Sequence, residues 1–441
     1  MRWLAVALLV ATPAFAGLRA GAAKRVITPD LKKFSPVYMA GFGQNRVATA
    51  IHDDLFVRCM AMHDGKTAPV VLCGVDVIGL FSEDVQRIRK LVGADVTVAA
   101  LHDHEAPDTM GLWGPAAGQS GINEDYNTFV IEQAAAAAKE ALANLQPAQI
   151  TLAKAHPAEL DTYIDDTRPP VVHDAEIIVL LAKATNGGKT IGVLLNWANH
   201  PESLGGHNTQ ITADYSASLY IELERQFGGT AVFLNGAVGG MQSPLGAKMA
   251  QKDETFERAD YLGRRVAQIA AEALRSAKPV NVDGIRHSEV AIAIPVTNQG
   301  FQQAAQAGVF KGRKPMSEGK NHTTAGYLRI SNGKTAVLEV ALIPGELYPE
   351  LSVGGVEKYS GADFPDAPVE PAIKTRMTAP YRMLIGLAND EIGYIIPKLE
   401  WDEKAPWLNG AKKHWYGEVN SVGPEAAPVV TDAIIRLMSQ P

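Results

Sequence analysis

The segment LHDHEAPD, residues 101–108, sets two histidines one residue apart among three acids, directly after the apolar run VTVAA. Neutral imidazoles are zinc ligands, and a catalytic zinc takes three protein ligands from His, Asp, Glu or Cys while one position stays open for water or substrate. His102 or His104, joined by His200 and Glu346, would supply two imidazoles and a carboxylate. Each of these has a plainer use on its own. A histidine at a strand end often bonds only to backbone, a loop glutamate is ordinarily solvated, and a serine before proline, such as Ser243, is ordinarily a turn residue. The residues are too far apart in sequence for spacing to decide, so the question passes to the elements that would gather them.

Apolar runs of strand length alternate with helical patterns along most of the chain. Residues 55–62 and 68–75 read as a hairpin, 82–92 as a helix with Ser82 as its cap and acids in the first turn, and 124–145 as a helix capped by Asn123. A third helix is expected over 253–277; it and the second run through Pro279 and Pro147 into strands. The pattern predicts an α/β fold with a mixed sheet and flanking helices. Five strand ends then deliver a polar candidate. The run 96–101 leads to His102 and His104, 190–197 to His200, 230–234 to Ser243, 335–343 to Glu346 and 381–387 to Tyr394. Ligands of open α/β sheets bind beyond the carboxyl ends of the strands, so these residues are expected to share one rim. The long connections 105–122, rich in Gly and Pro, and 347–380, without a convincing helical pattern, are expected as walls of the cleft.

The N-terminus MRWLAVALLVATPAFAGLRAG has an early positive charge, a short apolar core and small residues at Ala14 and Ala16. That is the layout of a secretory signal over residues 1–16, with cleavage expected after Ala16, no adjacent Cys for a lipid anchor, and export of the mature chain. Later runs all fall short of the roughly 18 apolar residues that a spanning helix needs. A net charge of −7 gives no reason to expect nucleic acid or an anionic membrane surface as a partner, and 46% hydrophobic content supports a sizeable core. Cys59 and Cys73 lie in the two arms of the hairpin around HDGKTAP, as a disulfide or as two buried thiols; no CxxC spacing makes them a metal site.

From AGAAKRVITPD and MAGFGQNRVATAIHDDLFVRCMAM near the start to HWYGEVNSVGPEA near the end, the chain resembles the neutral/alkaline, non-lysosomal ceramidases and bacterial proteins sharing their catalytic domain. The resemblance implies one catalytic domain over 17–441 and zinc-dependent cleavage of the N-acyl bond of ceramide or a related N-acyl lipid to fatty acid and amine. It places a zinc ligand at His102 of H-x-H-x-x-P, with His104 lining the substrate pocket, and a second ligand at His200 of NWANHP. Glu346 of Pro344-Gly345-Glu346 becomes the carboxylate ligand, and Tyr394 of GLANDEIGY the fourth donor. The G-x-x-S-P turn, Gly240 to Pro244, nominates Ser243; Arg168 in DDTRPP and Tyr416 in HWYGE would stabilise the oxyanion of the cleaved amide. Two routes stay open: attack by a zinc-activated hydroxide, or by a Ser243 that it deprotonates, with His104 orienting substrate or shuttling a proton.

Several positions depart from the family pattern. Asp103 and Glu105 replace small polar residues and Asp108 a glycine, which is expected to make the pocket mouth more negative; Met241 replaces an acid, and Leu347 and Tyr348 replace threonines. The chain stops soon after HWYGE, so the C-terminal β-sandwich of full-length ceramidases is expected to be absent. Rival readings are a zinc amidase for another N-acyl amine, such as an acyl amino acid or sugar, and an exported binding protein that keeps the scaffold without the chemistry. A lipid substrate would imply peripheral contact with membrane or micelle lipid, while the oligomeric state is left open. His52 reads as structural, Asp76 as a cap and His207 as either a partner of the metal site or exposed; Trp113, Tyr348 and Trp407 either line an acyl channel or simply pack.

Overall fold

The computed structural model describes residues 17–250 and 254–440. The expected signal and its cleavage point at Ala16 lie outside the described residues. Alternation in the first hairpin forms as read: strand Phe56–His63 pairs antiparallel with Val70–Val75. That register sets Cys59 opposite Cys73, with Cα atoms 4.1 Å apart, and the two sulfurs are joined in a disulfide inside an apolar core.

The hairpin belongs to a nine-stranded mixed sheet. In spatial order its path runs Thr230–Asn235, Thr190–Trp197, Ile177–Ala184, Gln146–Ala155, Arg19–Val26, Phe56–His63, Val70–Val75 and Thr97–Ala100, with Pro279–Val280 paired to Gln146–Ala155. Only the pairs at its two ends are parallel. The sheet curls strongly enough for its two flanks to meet. A Cβ on Gly74 would lie 2.3 Å from the Phe233 carbonyl, so no other side chain fits between these strands. Helices Ser82–Val92 and Glu124–Ala143 bury their apolar faces on one part of the sheet, and Tyr215–Phe227 and Phe256–Ser276 on the other. A second sheet, Gly284–Pro295, Lys320–Asn332, Thr335–Leu342 and Tyr381–Ile385, packs Leu328, Ile330, Val340 and Ile385 against the first. Helix Ala426–Ser439 covers its far side. The α/β class with a mixed sheet and flanking helices is therefore the fold observed.

Local signals account for most helix starts. Asn123 accepts from Tyr126 N at 3.0 Å, as expected of a cap, and Thr255 caps the third helix, which begins at Phe256 rather than 253. Ser82 is a correction. The cap position is Phe81, which has no side-chain acceptor, and the Ser82 N–H donates instead to Asp390 Oδ1 at 3.1 Å, so a carboxylate from far along the chain does the local cap's work. The 347–380 connection is a second correction. It contains short helices Pro349–Val353 and Ile373–Arg376, and Leu347, Leu351, Ile373 and Met377 turn into the core beneath the second sheet.

Candidate metal centre

Strand Thr97–Ala100 delivers the His102 loop with the backbone of His102 in the left-handed region, φ 65°, where a non-glycine residue persists only if its surroundings hold it. They do: the His102 and Asp103 N–H groups both donate to the Val77 carbonyl at 3.1 Å. The strand end itself is fixed by Asn235, at the end of Thr230–Asn235. Its amide donates to the carbonyls of Leu101 and Asn199, each at 2.8 Å, and its Oδ1 accepts from Asn199 N at 3.1 Å and Gly236 N at 3.0 Å. One buried side chain thus ties together the three loops that carry His102, His200 and Ser243. Arg46, also buried, pairs with Glu105 at 3.1 Å and donates to the backbone carbonyls of Ala40 and His104.

His102, His104 and His200 are all buried, and one ring nitrogen from each lies within 4.8 Å of the others. His102 Nδ1 meets the Ile78 carbonyl at 2.8 Å and His200 Nδ1 the Gln242 carbonyl at 2.7 Å. A carbonyl only accepts, so both rings carry their proton on Nδ1 and turn Nε2 toward Glu346, whose Oε2 is 3.4 Å from His102 and 3.2 Å from His200. Tyr394 is the register partner of Glu346 in the parallel pair Glu346–Leu347 and Tyr394–Ile395. Burial pushes the Glu346 carboxyl up, but His102, His200 and the Tyr394 phenol together hold it below its ordinary value. Burial pushes His102 down and His104 well down. It acts on His200 in the same direction, yet bonding to Glu346 and the Glu202 charge reverse the outcome and raise it.

Two imidazoles with outer nitrogens anchored on backbone and inner nitrogens turned to a carboxylate kept ionised between them make a donor set that fits a divalent ion such as zinc. A third imidazole and a phenol lie within reach of the same centre.

Two members of the cluster, His102 and His104, line a cavity of roughly 610 Å³. His102, His104, Glu346, Tyr394 and Tyr416 all line it, and the Tyr416 ring stands 6.0 Å from that of Tyr394. Of the expected walls, the 105–122 connection contributes Met110, Leu112 and Trp113. The other wall is 296–321 instead of 347–380, an excursion between the long strands Gly284–Pro295 and Lys320–Asn332 that carries helix Gln299–Gln306, Phe301 and Phe310. Tyr348 is buried against Tyr394 and Trp407 is not among the lining residues, so of the three expected aromatics only Trp113 faces the cavity.

Ser243 and Arg168 sit differently from the rest. Ser243 is buried outside the cavity lining; its Oγ accepts from Leu245 N at 3.0 Å, and its hydroxyl faces Glu202. Arg168 pairs with Glu418 at 2.7 Å, donates to the Glu400 carbonyl and lies over the rings of Tyr348 and Trp415, a layer behind the histidines. The acids of the 101–108 loop do not make the mouth negative. Asp103 accepts from Glu105 N, Glu105 pairs with Arg46, and Asp108 accepts from the N–H groups of Met110, Gly111 and Trp113, all three turned inward. Lysines 311 and 314 stand at the mouth instead. His52 stacks on Phe256 as a structural residue, His207 is exposed, and Asp76 holds Phe56 N and the Tyr220 hydroxyl in place of capping a helix. Glu202, Asn235 and Arg46 carry much of the site and were not singled out from the sequence; the place of Glu202 directly after NWANHP is the one signal that could have found it.

No protein-family model and no curated protein match this sequence. Solved structures do. Neutral ceramidase from Pseudomonas aeruginosa matches with a TM-score of 0.70 at 16% identity, over 96% of this chain and 74% of that one. A structure described as ceramidase complexed with C2 matches with a TM-score of 0.71 at 16% identity, over 96% and 75%. The molecule is thus a mixed α/β protein with a buried, metal-competent histidine cluster. Its fold is that of the neutral ceramidases.

Proposed function

We propose that this protein is an exported, zinc-dependent amidohydrolase that cleaves the N-acyl bond of ceramide or a related N-acyl lipid to a fatty acid and an amine. One observation carries the reading: two histidines and a glutamate are arranged to hold an ion, and His102 and Glu346 of that set line a largely apolar cavity. The fold shared with neutral ceramidases supports the substrate class. Residues 17–441 are taken as one catalytic unit, and the Cys59–Cys73 disulfide supports an oxidising compartment.

His102, His200 and Glu346 would hold the ion, with Tyr394 as the fourth donor. A zinc ion bound there supplies Lewis acidity for a carbonyl and acidifies water. The chain's own groups supply the remainder. Phe81, Met110, Phe301 and Phe310 take the acyl chain and exclude bulk water. His104 faces the scissile bond as the group that moves a proton, and the Tyr416 phenol donates to the amide oxygen as charge develops on it. Because Ser243 faces Glu202 and not the cavity, water is favoured over the serine as the attacking group. Arg168 braces the Tyr348 wall behind Tyr394 and does not itself meet the oxyanion.

Lys311 at the mouth is paired with Glu124 at 3.1 Å, but Lys314 beside it supports one variant of this reading, an N-acyl amine bearing an acid, so the assay panel should span both classes. Purified protein is incubated with N-acyl sphingoid bases and N-acyl amino acids, with and without a zinc chelator, and released fatty acid is read by mass spectrometry. Chelator-sensitive release from sphingoid amides is the expected result; no chelator-sensitive release from any member of the panel would sink the proposal. His200→Ala and Glu346→Ala should lose both bound metal and activity, whereas Ser243→Ala should keep its metal, as elemental analysis would show.

A further inference from the structure

Glu202 is a fully buried acid in the loop after strand Thr190–Trp197. Its Oε2 lies 3.1 Å from His104 Nδ1. Neither of its oxygens has a well-aligned hydrogen bond, and neither ring nitrogen of His104 has one. An isolated carboxylate in such a place is costly, and its neighbours are a histidine able to donate and the Ser243 hydroxyl. The other two histidines of the cluster follow the same rule, each with Nδ1 against an acceptor and Nε2 directed inward. His104 differs in that the oxygen nearest its Nδ1 belongs to a side chain, at 3.1 Å and less well aligned than the two backbone carbonyls. Its ring cannot readily turn: Phe42 packs edge-on at 5.2 Å, and a Cβ on Gly41 would come within 2.4 Å of the imidazole. What remains adjustable is which nitrogen carries the proton.

We propose that Glu202 is a positioning residue that accepts the Nδ1 proton of His104, fixing the tautomer in which Nε2 presents a lone pair to the cavity. The Ser243 hydroxyl lies against the same carboxylate. With the opposite tautomer, Nε2 would point a hydrogen at the reacting centre and could not accept a proton there. The activity arm of the test rests on the amidohydrolase reading; the spectroscopic arm does not.

Glu202→Gln keeps the size of the side chain but offers an NH₂ that can donate to Nδ1 and hold the wrong tautomer. In the serine-protease template the equivalent carboxylate-to-amide change costs about 10⁴-fold in kcat. Here a fall of about 10²-fold or more in kcat is expected, with KM and bound metal unchanged. Histidine ¹⁵N NMR of the full chain, assigned with H104N, should show His104 protonated on Nδ1 in the wild type and altered in the variant. Glu202→Asp, which restores a carboxylate, should recover part of kcat and the wild-type pattern. A wild-type His104 protonated on Nε2, a Glu202→Gln protein with unchanged kcat, or one that loses its metal would each overturn the proposal. If the wild type cleaves no amide of the panel, the functional reading has failed while the NMR pattern still decides the tautomer.

Discussion

Asn235 shows how much of the site depends on one amide. All four hydrogen bonds of its side chain reach backbone groups at the ends of three strands, and it is fully buried. Truncation would take the donor from the Leu101 carbonyl and the acceptor from the Asn199 N–H in a place water does not reach, at about 1–3 kcal/mol for each group left unpaired, while the Asn199 carbonyl keeps its bond from the Tyr215 hydroxyl. Asn235→Ala is therefore expected to cost about 3 kcal/mol or more in urea unfolding, and to weaken metal binding about 10–100-fold as an outer support of the ligands. A variant within about 1 kcal/mol of wild type, with unchanged metal affinity, would show that the loops hold their places without it. The residue-scale lesson is that His102, His104, His200, Glu346 and Tyr394 were legible because strand ends and family motifs mark them. Asn235, Arg46 and Glu202 were not, because their partners are backbone carbonyls and side chains far away in sequence.

Between elements, helix Ser82–Val92 and the long strand Gly284–Pro295 are joined by a largely buried ion pair. Arg89 holds Glu289 through both oxygens at 2.9 and 2.6 Å, and Asn389 donates to the same carboxylate at 2.9 Å. Burial alone would raise Glu289, but His287 and Arg89 outweigh it and hold the carboxyl down to about 2. A carboxyl depressed in the folded state stabilises the fold fully above its unfolded value of about 4.5, and the gain is lost as pH falls from there toward about 2. Glu289→Gln should therefore be less stable than wild type by about 2 kcal/mol at pH 6, with the gap narrowing as the pH falls to 3.5; a pH-independent gap would contradict the assignment. Elements with strong local signals, such as the 56–75 hairpin and the Asn123-capped helix, were legible in the sequence. The Lys320–Asn332 strand, helix Tyr215–Phe227 and the 296–321 wall were not. Their order comes from packing across sheets, and Gln299–Gln306, only eight residues long and with none of them buried, is too short to stand out as a helix in the sequence.

For the whole molecule, the candidate ligands come from both layers. His102 and His200 follow strands of the nine-stranded sheet, whereas Glu346 and Tyr394 follow Thr335–Leu342 and Tyr381–Ile385 of the second sheet. An ion held by all four would join the two sheets at one point, adding to the apolar contact between them. Binding to the folded chain alone stabilises it by about 2.7 kcal/mol when free ion is at 100 times its dissociation constant. Zinc added to chelator-treated protein should therefore raise its melting temperature, and Glu346→Ala should abolish most of the rise, because the remaining imidazoles lie on one side of the joint. Calorimetry of both proteins checks this. An equal rise in Glu346→Ala would place the ion on His102, His104 and His200 alone, and the two sheets would then be held together by their apolar packing without help from the metal.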